Sequence, residues 1–217
     1  AKGLDVMTTC ATSHAIMCNT ALDMQRDPVY ASTVNNLVAR TSKVEYGGES
    51  QSWHLVHYLV EEIGLDKVRD AVKNPLKMNI AAYYGPDMQR EGACAGDDPF
   101  MPTYMEQLIE ALGGTPIDYE SKCNSVGSTS MLTLEDSSLA MTAAVLSDAI
   151  QSGADLIVSA CTISHINLDS YQSKAGRVAG KNTIVPVCHL SELVAFALGF
   201  YPDRLAQLRT RVRLIGS

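Results

Sequence analysis

The stretch Gly153-Ala154-Asp155-Leu156-Ile157-Val158-Ser159-Ala160-Cys161-Thr162-Ile163-Ser164-His165 repeats, with one inserted residue, the opening Gly3-Leu4-Asp5-Val6-Met7-Thr8-Thr9-Cys10-Ala11-Thr12-Ser13-His14. Each copy reads as Gly-x-Asp, a short apolar run of strand length, and then Cys-x-x-Ser-His at the start of a helix. A second echo follows each copy in the same order. His54-Leu55 precedes Ile63-Gly64, and His189-Leu190 precedes Leu198-Gly199 at the same spacing. Two matched blocks in one order define a repeated folding unit.

Outward from the second copy, short β-branched or aromatic runs alternate with helical patterns, the signature of an α/β fold with a parallel sheet. The expected strands are Met78 to Tyr84, Thr115 to Tyr119, Asp155 to Ala160 and Thr183 to Val187. Met105, Leu108, Ile109 and Leu112 mark a helix between the first two, stopped by Gly113-Gly114 and Pro116. Leu139, Ala143, Leu146 and Ile150 mark another, with Gly153 where a left-handed cap is wanted. The run His189 to Phe200 reads as a further helix, and Pro202-Asp203 opens a last amphipathic one. The expected fold is α/β, a duplicated parallel-sheet domain with flanking helices.

Two strands and two helices precede the second copy, whereas the first begins at residue 3. The reading is therefore residues 1–71 as the C-terminal part of one domain and 72–217 as its complete sister. A missing N-terminal segment or a separate chain is expected to supply the absent strands.

The chain has 217 residues, 46% of them apolar, and a formal charge of −7. That is ample for a core and leaves no basic field for a phosphate backbone, so nucleic acid is not an expected partner. No apolar run approaches the roughly 20 residues of a membrane span. The start has no signal-peptide layout, and the expected location is cytoplasmic. Six cysteines are too sparse for a secreted disulfide scaffold. They are either buried small residues or sites of thiol and metal chemistry. Cys10 and Cys161, each after a strand and at a helix start, sit where backbone N–H groups favour a thiolate. His54 and His57 read as a pair on one helix face, and His189, beside Cys188, as a core histidine. The Gly92 to Gly96 loop carries Cys94 among Asp87, Asp97 and Asp98 and reads as a solvated connection. Nucleotide-binding and Ser-His-Asp motifs are not found.

The Cys-x-x-Ser-His copies, Ala82-Tyr83-Tyr84-Gly85-Pro86, the run Glu106 to Gly114 and the Cys123-Asn124-Ser125 turn together resemble the cysteine-rich (CCG) domains of the heterodisulfide reductase B subunit. The resemblance covers nearly the whole chain. It implies a subunit of an electron-transfer complex with A-type and C-type partners, and a non-cubane iron–sulfur cluster bound by a first-strand Cys, a Cys-Cys-Gly turn and a Cys-x-x-Cys. Here those positions fall on Pro86, on Cys123-Asn124-Ser125, and on Cys161 with Ser164, so two of five thiols remain. The residues the resemblance implies for cofactor binding are Cys10, Cys123 and Cys161, and no catalytic residue is assigned. Clusters are held by thiolates, so a degenerate, cluster-free second domain and a structural subunit are expected. The alternatives are an active iron–sulfur subunit acting on disulfide or sulfur substrates, a zinc ion on Cys123, Cys161 and His165, a Cys123–Cys161 redox pair, and a stand-alone CxxS thiol protein using Cys10 or Cys161.

Overall fold

The computed structural model describes residues 4–42, 44–47 and 50–200. The larger of its two sheets is four-stranded and wholly parallel, in the order β4-β3-β5-β6. Its strands are β3 (Asn79–Tyr83), β4 (Thr115–Ile117), β5 (Leu156–Ser159) and β6 (Val187–His189). Parallel strands need covering helices on both faces, and their side chains sort accordingly. Ile80, Ala82, Leu156, Val158 and Cys188 face one core with Met105, Leu108, Ile109, Leu193 and Phe196. These come from α5 (Tyr104–Ala111) and α9 (Leu190–Ala197). Ala81, Tyr83, Ile157 and Val187 face the other core with Val145, Leu146, Ala149 and Leu168, from α6 (Glu135–Gln151) and α7 (Thr162–Ser170). The helix α8 (Gln172–Ala179) follows α7. The α/β class is as expected.

The second sheet is a parallel pair, β1 (Val6–Thr8) with β2 (Ser52–His54), in the register Thr8 to His54. Between them run α1 (Ala11–Arg26) and α2 (Pro28–Ser42). After β2 the chain turns into α3 (Leu55–His57), passes through π-helical turns at Tyr58–Gly64 and ends in α4 (Leu65–Ala71). Val56 and Val68 from this segment join the core that lies under α5 and α9.

The last strand departs from its expected span of Thr183 to Val187, because it begins only at Val187. Gln172 explains the shift. Its buried amide donates to the Val185 carbonyl at 2.7 Å and accepts from the Val185 N–H at 3.2 Å. A side chain thus takes the backbone groups that a ladder would use, and Pro186 has no N–H to offer. The helix after β6 covers Leu190–Ala197, with His189 as its cap rather than its first turn. The expected helix at Pro202-Asp203 lies outside the described residues.

Asn167 fixes α7 against α6. Its fully buried amide donates to the Val126 carbonyl at 2.9 Å and to the Ser138 and Thr142 hydroxyls, each at 3.2 Å. Truncation leaves buried acceptors unsatisfied, so Asn167→Ala is expected to destabilise the fold by about 1–3 kcal/mol. Urea denaturation of the variant beside the parent checks this through the midpoint.

Candidate functional site

The two Cys-x-x-Ser-His stretches are built alike. Cys10 and Cys161 each lie two residues beyond a parallel strand and are the N-cap residues of α1 and α7, at φ/ψ of −117°/114° and −130°/120°. A hydroxyl two residues earlier holds each turn. The Cys10 N–H donates to Thr8 Oγ1 at 3.1 Å, and the Cys161 N–H to Ser159 Oγ at 3.2 Å. One turn on, the His14 N–H donates to the Cys10 carbonyl and the His165 N–H to the Cys161 carbonyl. The neighbouring strands end on histidines that cap the next helices. His54 and His189 have φ/ψ of −82°/145° and −82°/146°. Nδ1 of His54 accepts from the Val56 N–H and Nδ1 of His189 from the Ser191 N–H, both at 3.3 Å. His54 and His57 are therefore not a helix-face pair, because His54 closes β2 and only His57 is in the helix.

The two turns meet. The Ala160 carbonyl, next to Cys161, accepts the Ala11 N–H at 3.2 Å and bonds His54 Nε2 at 2.9 Å. With Nδ1 engaged as an acceptor, His54 is the tautomer that donates from Nε2. Thr12 of α1 reaches across to lie 3.4 Å from Cys161 Sγ, its hydroxyl also donating to Asp87 at 2.6 Å. Burial raises the Cys10 thiol pKa. Hydrogen bonding from the Thr162 side chain, from the Ser13 N–H and hydroxyl and from the Thr162 N–H outweighs it, leaving a value of about 7. Donors from both helix starts thus favour the thiolate.

All five histidines of the chain gather here. His14 lies 5.8 Å from His54 and 5.4 Å from His57 between ring centroids, and His165 lies 5.9 Å from His189. His57 is buried, and its Nδ1 has no hydrogen-bond partner among the described residues. His14 and His57 also line an open cleft of about 680 Å3 with Met17, Cys18, Trp53 and Glu61.

Several of the remaining positions lie about a side chain that sequence reasoning did not single out, Tyr83. Its fully buried phenol donates to the Asn124 carbonyl at 2.9 Å. Burial raises its pKa, the Ser164 hydroxyl opposes that shift, and the Cys161 thiol adds to it. A Cβ on Gly85, beside Pro86, would stand 3.1 Å from the phenol oxygen. Asn124, Cys161 and Ser164 thus lie about the Tyr83 phenol, and the chain closes on it at Gly85, the residue before Pro86. Cys123 closes a tight turn, Glu120–Cys123, whose Lys122 carbonyl accepts the Tyr84 N–H at 3.0 Å. Burial pushes the Cys123 thiol up to about 11, with Lys122 lowering it and Glu106 raising it. Among the described residues no three His, Cys, Asp or Glu side chains come together as a group that can hold a metal ion. The donor set among the described residues does not by itself fit a cluster, since a cluster requires several converging thiolates.

Cys94 lies in the Gly92 to Gly96 loop, which Glu61 fastens through the Gly96 N–H at 2.8 Å. Asp97 is not a solvated loop residue. It is buried and accepts the Thr103 and Tyr104 N–H groups at the start of α5. The paired hydroxyls were legible in the sequence as Thr or Ser two places before each repeated Cys. Tyr83 carried no such signal.

The chain is 28% identical over 204 residues to the B subunit of ferredoxin:CoB-CoM heterodisulfide reductase of Methanosarcina mazei, covering 93% of this chain and 68% of that protein. It is 29% identical over 198 residues to the 8-methylmenaquinol:fumarate reductase membrane anchor subunit of Wolinella succinogenes, covering 90% and 68%. A protein of Archaeoglobus profundus described as like the heterodisulfide reductase B subunit is 27% identical over 218 residues, covering 94% and 70%. No family model matches. The fold is similar to that of a hypothetical protein from Helicobacter pylori, with a TM-score of 0.63 at 12% identity over 85% of this chain and 33% of that one. Among the described residues no helix is long and apolar enough to cross a membrane.

The histidine cluster sets a pH dependence. Burial lowers His54 to about 4 and His57 to about 3, with neighbouring histidines adding to both shifts. Burial also lowers His14, His165 and His189. A histidine whose folded pKa lies below its unfolded value favours the folded state above the unfolded pKa, and this contribution is lost as pH falls. Stability is therefore expected to drop from about pH 6.5 toward pH 4, at a limit of about 1.4 kcal/mol per pH unit for each histidine. Denaturant midpoints across that range check the trend, and His57→Gln should flatten it.

Proposed function

We propose that this chain is a B-type subunit of a heterodisulfide-reductase-like electron-transfer complex, acting as a structural element rather than as the holder of a cluster in residues 72–217. The relatives named above support the subunit assignment. The observation that carries the structural role is the buried, hydrogen-bonded Tyr83 phenol, which stands among Asn124, Cys161 and Ser164, positions at or beside those where the resemblance implies ligands. Its partners are A-type and C-type subunits, and its location is cytoplasmic.

The same reading divides the chain into 1–71, the C-terminal part of one cysteine-rich domain, and 72–217, a second domain. The like geometry of Cys10 with Cys161 and of His54 with His189 supports that division. So does the uneven cover of the two copies. The strand β5 is flanked by β3 and β6, whereas β1 pairs with β2 alone among the described residues. Asn167 in α7 is buried under α6, while its counterpart by repeat position, Ile16 in α1, is 61% exposed. A partner or a preceding segment that continues the sheet beyond β1 would cover this face.

An active iron–sulfur subunit is the competing reading, with thiols completed from outside the chain. The test is a triple substitution of Cys10, Cys123 and Cys161 to Ser in the full-length protein, expressed with its partner subunits. A structural role predicts unchanged co-purification and unchanged iron and acid-labile sulfide in the complex. Loss of iron with assembly intact would establish cluster binding by these thiols, and loss of co-purification by a folded variant would sink the structural reading.

A further inference from the structure

The turns that carry the two repeated cysteines meet at the junction of the two sheets. We propose that Cys10 and Cys161 form a reversible intramolecular disulfide, with a low-molecular-weight disulfide as the oxidant. This goes beyond the subunit assignment and requires neither a cluster nor a partner chain.

Both residues are extended at the ends of their strands, and the segments that carry them are joined backbone to backbone, with the Ala11 N–H on the Ala160 carbonyl at 3.2 Å. A backbone hydrogen bond between the residues next to the two cysteines brings their turns together, which a disulfide requires. Each sulfur is met by a threonine of the other cysteine's turn. Thr12, two residues after Cys10, stands 3.4 Å from Cys161 Sγ, and Thr162, the residue after Cys161, hydrogen-bonds toward the Cys10 sulfur. Both thiols are free in this structure.

Access sets the order of events. Cys10 is 8% exposed and Cys161 2%, so Cys10 meets the incoming disulfide first. Cys10 gives up its proton and its sulfur attacks one sulfur of RS–SR, breaking that bond. RS⁻ leaves and takes up a proton, and Cys10 carries the mixed disulfide. Cys161, deprotonated in turn, attacks the Cys10 sulfur and expels the second RS⁻. Two protein thiols are oxidised to one disulfide while one small disulfide is reduced to two thiols, which balances atoms and electrons. The bond would lock α1 to α7 at their first turns, and excess small thiol would reverse it.

The test uses the reduced full-length chain, freed of small thiols, incubated with oxidised glutathione, alkylated and mapped by peptide mass. Cys10 and Cys161 should lose alkylation together, be recovered as one linked pair, and become alkylatable again after dithiothreitol. Cys161→Ser should stop at a glutathione mixed disulfide on Cys10, and Cys10→Ser should leave Cys161 alkylatable. The wild-type map decides the matter if either variant fails to fold. Full alkylation of both cysteines after oxidation, a mixed disulfide that persists on Cys10 in the wild type, or a bond from Cys10 to any other cysteine would overturn the proposal. None of these outcomes alters co-purification with partner subunits, which reads the subunit assignment separately.

Discussion

The Ala160 carbonyl is the joint on which the arrangement depends. It receives the Ala11 N–H from the start of α1 and the His54 imidazole from the end of β2. A carbonyl with two lone pairs is thereby satisfied wholly from the other sheet, at a residue that is fully buried. Because Ala160 immediately precedes Cys161, the same joint sets where both cysteine turns stand. The other ties between the two sheets run through side chains. Thr12 bonds Asp87, Glu61 holds the Gly96 N–H, and Val56 and Val68 pack under α5 and α9.

The chemistry at the joint follows from what surrounds it. Burial favours the neutral form of all five histidines, and His14, His54 and His189 supply hydrogen bonds without bringing charge, which suits a site where helix starts already favour anions. Cys10 is held near neutrality by donors from both helices, while burial raises the Cys123 and Cys188 thiols. Cysteines of one chain thus differ in chemical character through position alone. Around Tyr83 the buried phenol donates to the Asn124 carbonyl, with the Ser164 hydroxyl beside it.

Much of this was legible in the sequence. The repeat established the equivalence of Cys10 with Cys161 and of His54 with His189, because Cys-x-x-Ser-His and His-Leu recur in order. Strands β3 and β5 were visible because burial on both faces demands continuous apolar runs. What escaped was what depends on distant partners. The Gln172 amide that displaces β6 lies 13 positions from Val185, and no local pattern marks it. His54 and His57 have helical spacing, but the helix starts between them. Tyr83 looks like an ordinary strand residue until Asn124 and Ser164 are brought beside it.

Tyr83 stands among positions where the resemblance implies metal ligands, and the proposed structural role rests on that placement. Diffraction from crystals of the full-length protein, recorded on both sides of the iron absorption edge, addresses it without interpretation of activity. The account predicts no anomalous peak between Cys123 and Cys161 and clear density for the Tyr83 phenol in its place. A strong iron peak within bonding distance of both sulfurs, with Tyr83 displaced, would contradict it.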